Sequence, residues 1–90
     1  MTDALSKGFA LANLGKYTQA IQYYDEALAI DPNIEIALAN KGNALINLGN
    51  YTGAIKNADK ALAIDPNDTN ALATKNLALN GLRNTAASHR

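Results

Sequence analysis

The chain has 90 residues, of which 48% are apolar, and its eight basic side chains balance eight acidic ones, which allows one small domain and leaves no long-range field to draw in nucleic acid or an anionic membrane. No cysteine is present, so disulfides, thiolate chemistry and cysteine-held zinc are excluded and a cytoplasmic location is expected. The start carries Asp3, Ser6 and Lys7 where a signal segment would be apolar, and no stretch approaches the roughly 20 apolar residues of a membrane span, so a soluble protein is expected.

Ala, Leu and Ile supply most of the apolar content and Val is absent, which favours helices throughout. The first helix is predicted over roughly 3–14, ending where Gly15 suits the left-handed backbone of a helix stop. Thr18 is placed to cap a second helix over roughly 18–30. Pro32 ends that helix by pushing Asp31 out of helical geometry.

From residue 35 the sequence starts again. A shift of 34 residues lays Asn13-Leu14-Gly15 on Asn47-Leu48-Gly49, and Ala27 to Asn33 on Ala61 to Asn67, with more than half of the paired positions identical. Helices are therefore predicted over roughly 35–48 and 52–64, with Gly49, Thr52 and Pro66 repeating the roles of Gly15, Thr18 and Pro32. A third copy begins over roughly 69–82, with Ala71, Leu72, Lys75, Ala78, Leu79 and Leu82, and never reaches its second half. The chain divides into a first repeat (1–34), a second (35–68), a capping helix (69–83) and a flexible tail (84–90).

The series Gly8, Ala20, Tyr24, Pro32 and its counterpart Gly42, Ala54, Ala58, Pro66 resembles the tetratricopeptide repeat (TPR) family, whose period is 34. The resemblance implies an all-α fold of tandem antiparallel helix hairpins stacked as a short right-handed superhelix. It departs from the family pattern where Ala58 replaces the large ring that Tyr24 supplies, which is expected to leave a void unless the backbone closes up, and to soften the second hairpin. Gly8, Gly42, Ala20 and Ala54 permit close approach of paired helices, and Leu11, Leu45, Ile21, Ile55, Leu28 and Leu62 fill the surrounding space.

In this family the first helices of successive repeats line a concave groove that takes a peptide. The resemblance carries that role to Leu5, Phe9, Asn13, Asn40, Asn43, Asn47, Asn70 and Leu77, with Ala39 and Thr74 on the same surface. Asn40, Asn43 and Asn47 share one helical face, and their amides can donate to and accept from an extended backbone. A neutral, partly apolar surface implies a scaffold for an extended, largely uncharged segment of a protein or peptide. The alternative is a minimal, engineered or excised repeat unit with no dedicated ligand, forming a homo-oligomer through Leu72 and Leu79, which the missing last helix leaves uncovered.

A subset of the family clamps the carboxylate end of chaperone tails with lysine, two asparagines, lysine and arginine. The matching positions here are Leu5, Phe9, Asn40, Asn70 and Thr74, of which only Asn40 agrees, so that clamp is expected to be absent. Lys41 and Lys75 lie one residue after Asn40 and Thr74 and recur with Lys7 at the repeat period, and are read as copy ancestry or partly buried stems with the ammonium in water. No catalytic constellation, cofactor or metal site is expected: His89 is the only histidine, Asp31 and Asp65 recur as turn residues, Asp25 and Glu26 form a solvated edge, and the glycines stand singly.

Overall fold

The computed structural model describes residues 2–88. Five helices follow one another: α1 (Thr2–Asn13), α2 (Tyr17–Ile30), α3 (Glu35–Asn47), α4 (Tyr51–Ile64) and α5 (Thr69–Ser88). Helices α1 and α2 pair, α3 and α4 pair, and α3 touches each of the other four helices. The body measures 45 × 28 × 18 Å, its thin dimension matching two helix diameters.

The turns follow from the local sequence. Gly15 and Gly49 hold φ +79° and +82°, in the left-handed region where a Cβ is penalised. This lets Lys16 N–H reach back to Leu11 O at 2.9 Å and Asn50 N–H to Leu45 O at 2.8 Å, which satisfies carbonyls at each helix end. Asp31 and Asp65 are extended ahead of their prolines, and each carboxylate accepts from the backbone two residues on, Asn33 and Asn67 respectively, both at 3.0 Å.

Two local expectations need correction. Thr18 and Thr52 lie inside α2 and α4 and are not their caps, because each helix starts one residue earlier, at Tyr17 and Tyr51. The caps are Lys16, which offers no side-chain acceptor, and Asn50, whose Oδ1 accepts from Gly53 N–H at 2.9 Å. The second correction concerns the end of the chain: α5 runs on to Ser88, so the segment expected as a tail from Asn84 is helical that far. No proline interrupts it, and Asp68 caps its start by accepting from Asn70 N–H at 3.0 Å and Ala71 N–H at 3.2 Å. His89 lies outside the described residues.

The core is built of small side chains: Ala20, Ala27, Ala37, Ala54, Ala58 and Ala61 are all fully buried. Methyl-sized contacts let the helix backbones close on one another, while Leu11, Leu28, Leu45 and Leu62 remain half-buried around them. Ala58, where the first hairpin has a ring, is fully buried. In the first hairpin the Tyr24 ring lies so close over Gly8 that a Cβ there would stand 2.6 Å from Cε1. In the second, a Cβ at Gly42 would stand 3.2 Å from the Ala54 carbonyl oxygen and 3.1 Å from Thr74 Cγ2, so backbone and a neighbouring threonine occupy the ring's place.

Candidate functional site

The first helices α1 and α3 form one face, and between them lies a cavity of about 580 Å³. Its walls are Phe9, Ala12 and Asn13 from α1, Tyr17 and Tyr24 from α2, and Asn40 and Asn43 from α3. None of these is charged. Phe9 and Tyr24 pack with ring centroids 5.9 Å apart and planes tilted by 58°, an ordinary edge-on aromatic arrangement.

Of the residues expected to line a groove, Phe9, Asn13, Asn40 and Asn43 come together round this cavity, whereas Leu5, Asn47, Asn70 and Leu77 do not line it. Leu77 is exposed and Leu5 half-buried, farther along the same chain of helices. Ala39 and Thr74 are buried and unavailable to a ligand. Ala39 belongs to the core cluster with Leu38, Ala61 and Ala71, and Thr74 fills the space over Gly42. Tyr17 was not anticipated, although its recurrence as Tyr51 directly after each turn is a visible signal.

The asparagines divide by what their amides already do. Asn40 Nδ2 donates to Ile36 O at 2.8 Å and Asn47 Nδ2 to Asn43 O at 2.9 Å, both one turn back on the same helix. That leaves their carbonyl oxygens as acceptors. Asn13 and Asn43 make no side-chain bond to the described residues, so both ends of each amide remain open.

The periodic lysines are not simply solvated. Lys41 Nζ pairs with Asp25 at 2.6 Å and Lys75 Nζ with Asp59 at 2.8 Å, each joining a first helix to the second helix of the repeat before it. Lys7 Nζ lies 5.7 Å from the centroid of the Tyr23 ring. The Lys41 pair lines a second cavity, about 660 Å³, among α2, α3 and α4, with Leu28, Leu38, Lys60 and Ile64. Both aspartates are about half exposed, so each pair contributes little to stability.

Beyond the hairpins, α5 leaves Leu72, Leu79 and Leu82 exposed at 43%, 42% and 39%. No described helix is long and apolar enough to cross a membrane.

Residues 5–69 match the family described as tetratricopeptide repeat. The second TPR of Spaghetti (RPAP3), bound to an HSP90 peptide SRMEEVD, superposes with a TM-score of 0.87 at 25% identity over 92% of this chain and 77% of that one. The second TPR domain of human RPAP3, in complex with an HSP70 peptide SGPTIEEVD, gives 0.84 at 26% identity over 90% of this chain and 68% of that one. The Sgt2 TPR domain from Aspergillus fumigatus gives 0.87 at 29% identity over 92% of this chain and 55% of that one. No curated protein matches. The two peptide complexes overturn the expectation, drawn from Leu5, Phe9, Asn70 and Thr74, that a chaperone-tail clamp is absent. That expectation tested only for cations in fixed register, whereas amide and phenol donors also bind carboxylates.

Proposed function

The chain belongs to the tetratricopeptide repeat family, a family of protein-interaction scaffolds, and on that premise we propose that its α1–α3 face holds an extended, largely uncharged peptide segment. The uncharged cavity walled by Phe9, Tyr17, Asn13, Asn40 and Asn43 carries the reading. Its rings offer apolar area and its amides offer donors and acceptors, the combination an extended backbone requires. On this reading Leu5, Asn47, Asn70 and Leu77 extend the contact beyond the cavity, in a cytoplasmic protein. Two repeats give a short groove, so micromolar affinity or weaker is expected.

Fluorescence anisotropy with labelled SGPTIEEVD and its amidated neutral counterpart SGPTIQQVN tests this directly. Both peptides are expected to bind, and Phe9→Ala with Asn43→Ala to weaken both about tenfold. Loss of binding on neutralisation would place the recognition in the peptide's carboxylates instead, and indifference to the double variant would remove the face from consideration.

A second reading rests on Leu72, Leu79 and Leu82, which share one face of α5 and are exposed where a following helix would pack. It assigns that face to self-association. Light scattering across concentration decides it: a dimer dispersed by Leu72→Lys with Leu79→Lys supports it, and a monomer at every concentration ends it.

A further inference from the structure

The open face of α5 is a copy of a covered face of α3. Leu38 of α3 is 4% exposed and shares the core cluster with Ala61 of α4, whereas Leu72, its counterpart in α5, is 43% exposed. Leu45 is half-buried and its counterpart Leu79 is exposed. The covering helix makes the difference. At Arg83, which stands where Gly15 and Gly49 end the earlier first helices, no left-handed turn forms, and α5 runs on to Ser88 instead of folding back over its leucines.

A helix shaped like α4 does not fit this face. Gly42 lies so close to α4 that a Cβ there would stand 3.2 Å from the Ala54 carbonyl oxygen. Asn76 takes that position in α5 and is exposed, so a covering helix is held off and the contact must be wider and filled by larger side chains. Leu72, Asn76, Leu79 and Arg83 succeed one another at alternating four- and three-residue spacings, the seam of a two-stranded coiled coil. The exposed Leu14, Ile30, Ile36, Leu48 and Ile64 stand at or beside the ends of the other helices, so α5 alone among the described helices carries several exposed leucines along its length. The surface that matches this seam is α5 of another copy, in a contact where the same patch serves both sides.

Charge sets the direction. The charged residues of α5 are Lys75 and Arg83, both basic. Parallel pairing would set each beside its own copy, whereas antiparallel pairing centred between Asn76 and Leu79 holds the two Arg83 residues roughly 16 Å apart along the axis. The same arrangement brings the two Asn76 residues to about 4.5 Å along the axis, where one amide can donate to the other.

We propose that two copies of this chain pair antiparallel through α5, with the Asn76 amides bonded to each other at the centre and Leu72 and Leu79 packed on either side. This deepens the self-association reading above and rests on it. The chain has no cysteine, so Asn84→Cys carries a single nitroxide, and that chain is mixed with isotopically labelled parent. Antiparallel pairing is expected to broaden the parent's amides at Asn70, Ala71 and Leu72. Asn76→Asp, which changes an exposed side chain and sets two carboxylates together only in the pair, is expected to weaken dimerisation in light scattering about tenfold. Broadening centred on Asn84 of the parent, or an Asn76→Asp chain that dimerises like the parent, overturns the antiparallel pairing. Self-association through this face survives that failure if Leu72→Lys with Leu79→Lys still disperses the dimer. A monomer at every concentration ends both.

Discussion

The two hairpins are copies in sequence and differ in how they fill the same space. The first places a tyrosine ring between its helices, over Gly8. The second has Ala58 at that position, and its helices meet near Gly42 and Ala54 under a seal contributed by Thr74 of α5. The ring that spaces the first hairpin also borders the α1–α3 cavity, whereas Ala58 at the corresponding position is fully buried.

The largest expected effect breaks the first hairpin's solution. Tyr24→Ala should cost about 3–5 kcal/mol in denaturant unfolding, because α1 and α2 lose the group that separates them. A smaller cost, about 1–3 kcal/mol, is expected for Gly8→Ala, whose Cβ would meet the Tyr24 ring at 2.6 Å. Its sign should reverse in the Tyr24→Ala background, where the new methyl meets no ring and alanine is the better helix former by roughly 1 kcal/mol. A Gly8→Ala change that costs the same in both backgrounds would show that the ring is not what Gly8 accommodates.

The caps sharpen the comparison at a smaller scale. Asn50 accepts from Gly53 N–H while Lys16 at the equivalent place accepts nothing from a side chain. Asn50→Ala is expected to lower stability by about 1 kcal/mol and Lys16→Asn to raise it by about 0.5–1 kcal/mol, both read as shifts in melting temperature.

The smallest effect concerns acid–base balance at the junction of α3 and α5. Asp68 accepts a hydrogen bond from the Glu35 carboxyl, and this bond, with desolvation and the charges of Asp68 and Asp65, pushes Glu35 up to about 7. The same bond lowers Asp68, against the opposing pull of desolvation and with help from the N–H groups of Ala71 and Asn70. A carboxyl raised on folding stabilises the native state below its unfolded pKa of 4.5 and loses that contribution as pH climbs through about 7. Asp68 is lowered first by that same bond, so this part of its contribution goes when Glu35 loses its proton, and the part from the N–H groups of Ala71 and Asn70 remains. Melting temperature should therefore fall from pH 4.5 to 7, and Glu35→Gln, which keeps a donor facing Asp68, should flatten that slope. In the first copy Ile34 stands where Asp68 does, so no matching carboxyl pair is available there.

The shape of the backbone was legible because its signals are local. Gly15, Gly49, Pro32 and Pro66 constrain φ and ψ through their own covalent structure, and a recurrence of 34 residues told how often to apply them. Asn40 and Asn43 could be set on one helical face from periodicity, while placing them beside Phe9 and Asn13 came from the family resemblance. The caps were misplaced by two residues, since Lys16 and Asn50 and the nearby threonines compete for the same few positions and only the actual start of the helix separates them.

What only the tertiary structure decided is which side chains share space across the repeats. Lys41 finds Asp25, Thr74 fills the gap above Gly42, and the Tyr24 ring closes over Gly8 beside a cavity. Each depends on residues remote in sequence and on separations of a few tenths of an ångström, which a repeat pattern does not encode. The sequence therefore determined the helices, their turns and their order, while close packing among small side chains determined which side chains meet across the repeats and where a cavity remains.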